Sequence, residues 1–201
     1  MPRALLMLVI LWLIAPPNAM AATEQDARQF VDSLGKQVLA SINTQGLGEE
    51  EKQQRLRQMF VQYVDIPWMG RFVLGRYWQR ATPDQQKRYM DAYQQYLLAR
   101  YTSNFADYSG SKYTITDVQA DGDGRFNVHM DIATPHQQQN TEAGYHLQAT
   151  DNGQFKIRDI IIEGVSLIAT QRSEFASVAQ QQGVDGLIQD LINKSQAEKK
   201  S

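Results

Sequence analysis

His129 and Asp131 are the residues most suggestive of catalysis. They stand two apart in a segment that alternates Arg125, Asn127, His129 and Asp131 with Phe126, Val128, Met130 and Ile132. On a strand that spacing puts both side chains on one face, where the imidazole could serve as general base and the carboxylate could orient it. The apolar set claims the opposite, inward face, so a solvated polar face explains the pair more simply. The same alternation places His146 with Gln148, and His136 sits in an exposed Pro-His-Gln-Gln-Gln loop. The chain has no Cys and 3 His, which excludes disulfides, a Cys nucleophile and a thiolate zinc site and leaves no credible ligand set for a metal. Asp121-Gly122-Asp123-Gly124 lacks the downstream Glu of a calcium loop and reads as a hairpin turn. No Gly-x-Ser-x-Gly occurs, and no His accompanies a plausible Ser nucleophile. These features predict a non-enzyme without metal or cofactor, with His129 and Asp131 in an enclosed cone as the catalytic alternative.

Two other groups could act without covalent chemistry. Tyr89, Tyr93, Tyr96, Tyr101, Phe105 and Tyr108 crowd one helical segment, and Phe126 and Tyr145 face inward from strands. A dry core holds Tyr only where each hydroxyl finds a partner, so this mixture suits either an ordinary core or the wall of an apolar cavity with a polar mouth. Arg71, Arg76, Arg80, Lys87 and Arg88 form a basic cluster, either a solvated helix face or a docking surface for acidic partners or headgroups.

The elements that position these residues follow from periodicity. Residues 23–63 read as two helices, with apolar stripes through Phe30, Val31, Leu34, Val38 and Ile42 and then Leu56, Met59, Phe60 and Tyr63, broken at Gly46 and Gly48. Asp65 caps a short helix carrying Trp68, Met69, Phe72 and Val73. Thr82-Pro83-Asp84-Gln85 is a capping box opening a long helix that Gly110 ends. The period then falls to two, and four strands form an antiparallel meander over about 111–163, with turns at Asp121-Gly122-Asp123-Gly124 and Asp151-Asn152-Gly153. The run Ile160-Ile161-Ile162 is apolar on both faces and predicts cover on both. Helices return over about 167–195, interrupted at Gly183. Helices, four strands and helices again make one α+β domain with helices over one face of a curved sheet.

The 201 residues carry 20 Lys+Arg against 22 Asp+Glu, a net charge of -2, and 42% are hydrophobic. That excludes global disorder and gives no field for holding nucleic acid. Arg3 is the only charge before Glu24, Ala4–Ala15 is unbroken apolar sequence, and Pro16-Pro17 precedes Asn18-Ala19-Met20-Ala21. This order predicts a secretory signal peptide over 1–21, too short in its apolar run to span a bilayer, and an exported, soluble domain over 22–201.

Three stretches resemble the MlaC / toluene-tolerance family. Leu74-Gly75-Arg76-Tyr77-Trp78-Gln79-Arg80-Ala81-Thr82-Pro83-Asp84-Gln85 is similar to the start of that family's long helix. Ile161-Ile162-Glu163-Gly164-Val165-Ser166-Leu167-Ile168 with Arg172-Ser173-Glu174-Phe175 resembles its strand-to-helix signature, and Gly183-Val184-Asp185-Gly186-Leu187-Ile188 its last helix. The resemblance implies an NTF2-like sheet with helices enclosing an apolar pocket. It implies a periplasmic phospholipid carrier, a monomer, working between an outer-membrane lipoprotein complex and an inner-membrane ABC transporter to maintain lipid asymmetry. A sister branch is associated with hopanoids. By the same resemblance, Leu97, Tyr101, Phe105, Phe126, Val128, Met130, Tyr145, Leu147 and Val165 become pocket candidates, and Arg71, Arg76, Arg80 and Arg88 docking candidates.

Overall fold

Thr82 and Gln85 close the expected bracket: Gln85 N donates to Thr82 Oγ1 (3.2 Å) and Thr82 N to Gln85 Oε1 (3.0 Å). A Thr82→Ala change should therefore cost about 1 kcal/mol, seen as a lower urea midpoint at unchanged slope. The computed structural model describes residues 22–102, 108–135 and 138–198. The expected signal peptide, Phe105 and His136 lie outside the described residues.

The helical half comprises α1 (Glu24–Asn43), α2 (Glu49–Tyr63), α3 (Ile66–Leu74), α4 (Arg76–Arg80) and α5 (Pro83–Thr102). Thr23 and Asp26 form a second capping box at α1, and the Asp65 carboxylate accepts from Trp68 N (3.3 Å) at α3. The long helix expected to reach Gly110 is described as far as Thr102, and Tyr108–Gly110 form a turn. Among the described residues, no helix is long and apolar enough to cross a membrane.

The sheet is an antiparallel meander of β1 (Lys112–Ala120), β2 (Arg125–Ala133), β3 (Thr141–Ala149), β4 (Phe155–Ile162) and β5 (Val165–Ser166), in that spatial order. The first four strands are those expected, and β5 is a two-residue addition. Bulges interrupt the pairing at Thr116, opposite β2, and at Arg158, opposite β3. Each bulge inserts one residue and so reverses which parity faces inward. On β4 the inward set passes from Phe155 and Ile157 to Ile160 and Ile162. Arg158, the inserted residue, donates to Asp65 Oδ2 (3.0 Å) and to Gln148 Oε1 (2.8 Å), tying α3 to the sheet.

The motif Glu163-Gly164-Val165-Ser166-Leu167 makes the return from β4 into the last helix. Glu163 and Gly164 both have positive φ (49° and 74°), and Glu142 N donates to Glu163 Oε1 (2.7 Å). Ser166 Oγ donates to Asp159 Oδ2 (2.6 Å) and accepts from Ala169 N (3.1 Å), and Ile168 N donates to Asp159 Oδ1 (3.1 Å). Thus a buried carboxylate and a serine together hold the first turn of α6 (Leu167–Glu198). Gly183 bends that helix at φ 73°, ψ -179°, a conformation that glycine adopts without steric cost.

The core lies where α5 and α6 meet each other and α3. Tyr89 and Tyr93 are fully buried and stacked at 5.7 Å, and Phe175 meets Tyr93 edge-on at 6.1 Å. Both hydroxyls are satisfied: Tyr89 donates to Gly70 O (3.1 Å) and Tyr93 to Gln171 Oε1 (2.7 Å). These two tyrosines are therefore core, as the plainer of the two readings of the aromatic cluster has it.

Candidate functional site

Where α1 and α2 arch over the concave face of the sheet, their apolar stripes do not meet the strands in full. A cavity of about 650 Å³ remains, within the ~300–1,000 Å³ of small-molecule sites. From α1 it is walled by Val31, Leu34, Gly35, Val38 and Leu39, and from α2 by Leu56, Met59, Phe60 and Tyr63. The sheet supplies Tyr113, Met130, Ile132, Ala143, Tyr145, Ile157, Ile160 and Ile162. Tyr108, Ile162 and Val165 line it while remaining 39%, 43% and 60% exposed, which marks its mouth. The expectation that Ile160-Ile161-Ile162 is covered on both faces holds for the first two only in part and fails at Ile162, which forms this rim.

Gly35 is what lets the wall close at its α1 side. A Cβ there would stand 2.6 Å from the Tyr113 ring, so the missing side chain admits the ring. The Tyr113 hydroxyl donates to Asp32 O at 2.8 Å, which fixes β1 against α1.

The wall is mostly apolar, and the charged residues on it are Arg100 and Lys112. Burial pushes the phenols of Tyr101 and Tyr113 up to about 12, from an ordinary 10.0, and also raises that of Tyr145. Raised values favour the neutral form in the folded state, so this stabilisation is complete below pH 10 and is lost as pH rises through about 12. Thermal melts should accordingly show falling stability between pH 10 and 12, accompanied by late tyrosinate absorbance.

Of the sequence-derived pocket candidates, Tyr101, Met130, Tyr145 and Val165 line the cavity. Leu97, Phe126, Val128 and Leu147 instead belong to the packed core and are not on its wall. The α1 and α2 residues were expected as buried stripes but not as a ligand wall; an amphipathic stripe has the same spacing over a core as over a void. Gly35 within such a stripe was the available signal.

His129 lies exposed on the outer face of β2, away from Phe126, Val128 and Met130, so the cone-enclosed arrangement required by the catalytic alternative does not occur. His146 approaches Asp159 at 3.7 Å with half its side chain exposed. Asp121 and Asp123 both pair with Arg125 across the β1–β2 turn. Arg71, Arg76 and Arg80 are exposed on α3 and α4, and no carboxylate among the described residues lies within ion-pair distance of them. Arg88 is held by Asp84 and Asp185, and Lys87 by Asp91.

Known proteins resemble this chain in both fold and sequence. The chain is 27% identical over 126 residues to the toluene tolerance protein ttg2D of Pseudomonas putida, covering 61% of this chain and 56% of that protein. It is 24% identical over 139 residues to the intermembrane phospholipid transport system binding protein MlaC of Haemophilus influenzae, covering 66% of this chain and 63% of that one. The matches thus span less than two thirds of either relative. A solved phospholipid-binding protein from Ralstonia solanacearum, in complex with a phospholipid, superposes with a TM-score of 0.76 at 26% identity, covering 86% of this chain and 98% of that one. The family described as MlaC protein matches residues 22–193, nearly the whole described fold, and the chain belongs to that family.

Proposed function

We propose that the protein binds phospholipid and carries it through the periplasm, exchanging it between an outer-membrane lipoprotein complex and an inner-membrane ABC transporter. The observation that carries this reading is the mostly apolar cavity whose mouth is marked by the exposed Tyr108, Ile162 and Val165, in a fold whose Ralstonia relative holds a phospholipid. Acyl chains occupy the space between α1, α2 and the sheet, and the headgroup stays at the mouth. Their burial supplies about 25 cal/mol per Å² of apolar area, so no covalent step is needed. Residues 22–201 act as one unit, a monomer released by cleavage of residues 1–21. Unloading requires a partner that favours the emptied state, and Arg71, Arg76 and Arg80, exposed and with no carboxylate within ion-pair distance among the described residues, supply the surface for an acidic one.

Transfer of labelled phospholipid from donor to acceptor vesicles tests the reading. The purified protein should accelerate transfer in proportion to its concentration; a rate equal to spontaneous exchange would refute carriage.

A further inference from the structure

Exposure rises in one direction along the cavity. On β4 the wall runs from Ile157, 3% exposed, through Ile160 to Ile162, 43% exposed. On β2 it runs from the buried Met130 to the half-buried Ile132, and on α1 from the buried Val31 and Leu34 to the half-buried Val38 and Leu39. The end opposite the mouth is therefore a floor, made by Val31, Val64 and Ile157. Val64 bridges Ile157 in parallel register, and Asp65 N donates to Ile157 O at 2.8 Å, which pins the end of α2 across β4. Behind this floor Phe155 packs on Phe30 and on Phe126, each at 5.5 Å between ring centres. These three rings belong to the core and stand off the cavity wall.

The depth follows from the elements that run along it. Ile157 and Ile162 stand five residues apart on β4, with the bulged Arg158 between them, so the wall there spans about 13–16 Å at ~3.3 Å per residue. On α1 the stretch from Val31 to Leu39 covers about 12 Å at ~1.5 Å per residue. One bilayer leaflet, half of a hydrocarbon core about 30 Å thick, is about 15 Å deep. The cavity thus matches the reach of an ordinary acyl chain and then stops.

We infer that the floor made by Val31, Val64 and Ile157 sets the longest acyl chain the protein carries, so that it selects its lipids by chain length. This rests on the carrier reading and names which lipids are carried. A chain that reaches the floor cannot advance, because the Phe30, Phe126 and Phe155 rings fill the space behind it. Every further methylene is left at the mouth, where the apolar rim of Tyr108, Ile162 and Val165 shelters the first few. The rest stand in water that the bilayer would have spared them, and each weakens the complex about fourfold against the membrane. Chains shorter than the cavity meet no such penalty, so the selection acts from one side only.

The test loads delipidated protein from fluid vesicles holding equal dilauroyl, dipalmitoleoyl and dierucoyl phosphatidylglycerol, and quantifies all three in the extract. The headgroup is constant, so only chain length can separate them. The wild type should favour the dipalmitoleoyl over the dierucoyl lipid about a hundredfold or more, the ratio given by roughly four methylenes left in water. Ile157→Ala lowers the floor and should cut that ratio about tenfold, having room for roughly two methylenes more. Ile157→Phe raises the floor and should cost the dipalmitoleoyl lipid about tenfold against the dilauroyl one. Opposite shifts from one position are the signature, since a change that merely loosened the fold would lower the load of all three lipids and leave their ratios alone. A wild-type ratio near one at full load would overturn chain-length selection and leave the carrier standing. Strong wild-type selection that neither Ile157 variant moves would overturn this floor as its source. No load of any lipid would overturn both the selection and the carrier.

Discussion

Asp159→Ala should lower the melting temperature by about 6–12 °C. Asp159 is 2% exposed and accepts from Ser166 Oγ and from the backbone N–H groups of Ile160 and Ile168. Removing the carboxylate leaves those buried donors unpaired, a loss of about 3 kcal/mol, and each kcal/mol moves the midpoint by roughly 2–4 °C in a chain of this size. Asp159→Asn keeps an acceptor oxygen and should lose less. The same contacts hold the β5–α6 turn that places Val165, Leu167 and Thr170 on the cavity wall, so lipid retention should fall along with stability. A midpoint within about 2 °C of wild type would show that the turn is held by packing alone.

Ala143→Phe should do the reverse, sparing the fold and removing the function. Ala143 is buried on β3, pairs with Met130 and Ile162, and lines the cavity. A phenyl ring there enters space the protein leaves open and displaces on the order of three lipid methylenes, each worth about 0.8 kcal/mol. Retention should fall by about fiftyfold, with the melting temperature of the lipid-free protein unchanged or raised. Normal retention would mean that the acyl chains lie elsewhere.

These two residues also mark what the sequence does and does not disclose. Alternation along β2 is read directly, because Phe126, Val128 and Met130 keep one parity through the strand. The capping boxes at Thr23 and Thr82 are local chemistry, set by residues three apart. A bulge has no such local signature. Arg158 shifts the inward set to Ile160 and Ile162 only because His146 and Leu147 pair around it, a property of two strands. Asp159, polar in a mostly apolar strand, gains its partners from the later α6, and the spacing along β4 does not contain them. The cavity is harder still to foresee: Leu97, Phe126, Val128 and Leu147 have the same apolar character as Tyr101, Met130 and Tyr145, and only the arch of α1 and α2 separates core from void.

Mass spectrometry of the organic extract from the purified protein, with denatured protein as control, tests the central claim most directly. Near-stoichiometric phospholipid is the expected result, and its composition would report the acyl and headgroup preference; a polycyclic lipid would keep carriage but change the cargo. Protein that is empty and also takes up no lipid from vesicles would contradict the claim.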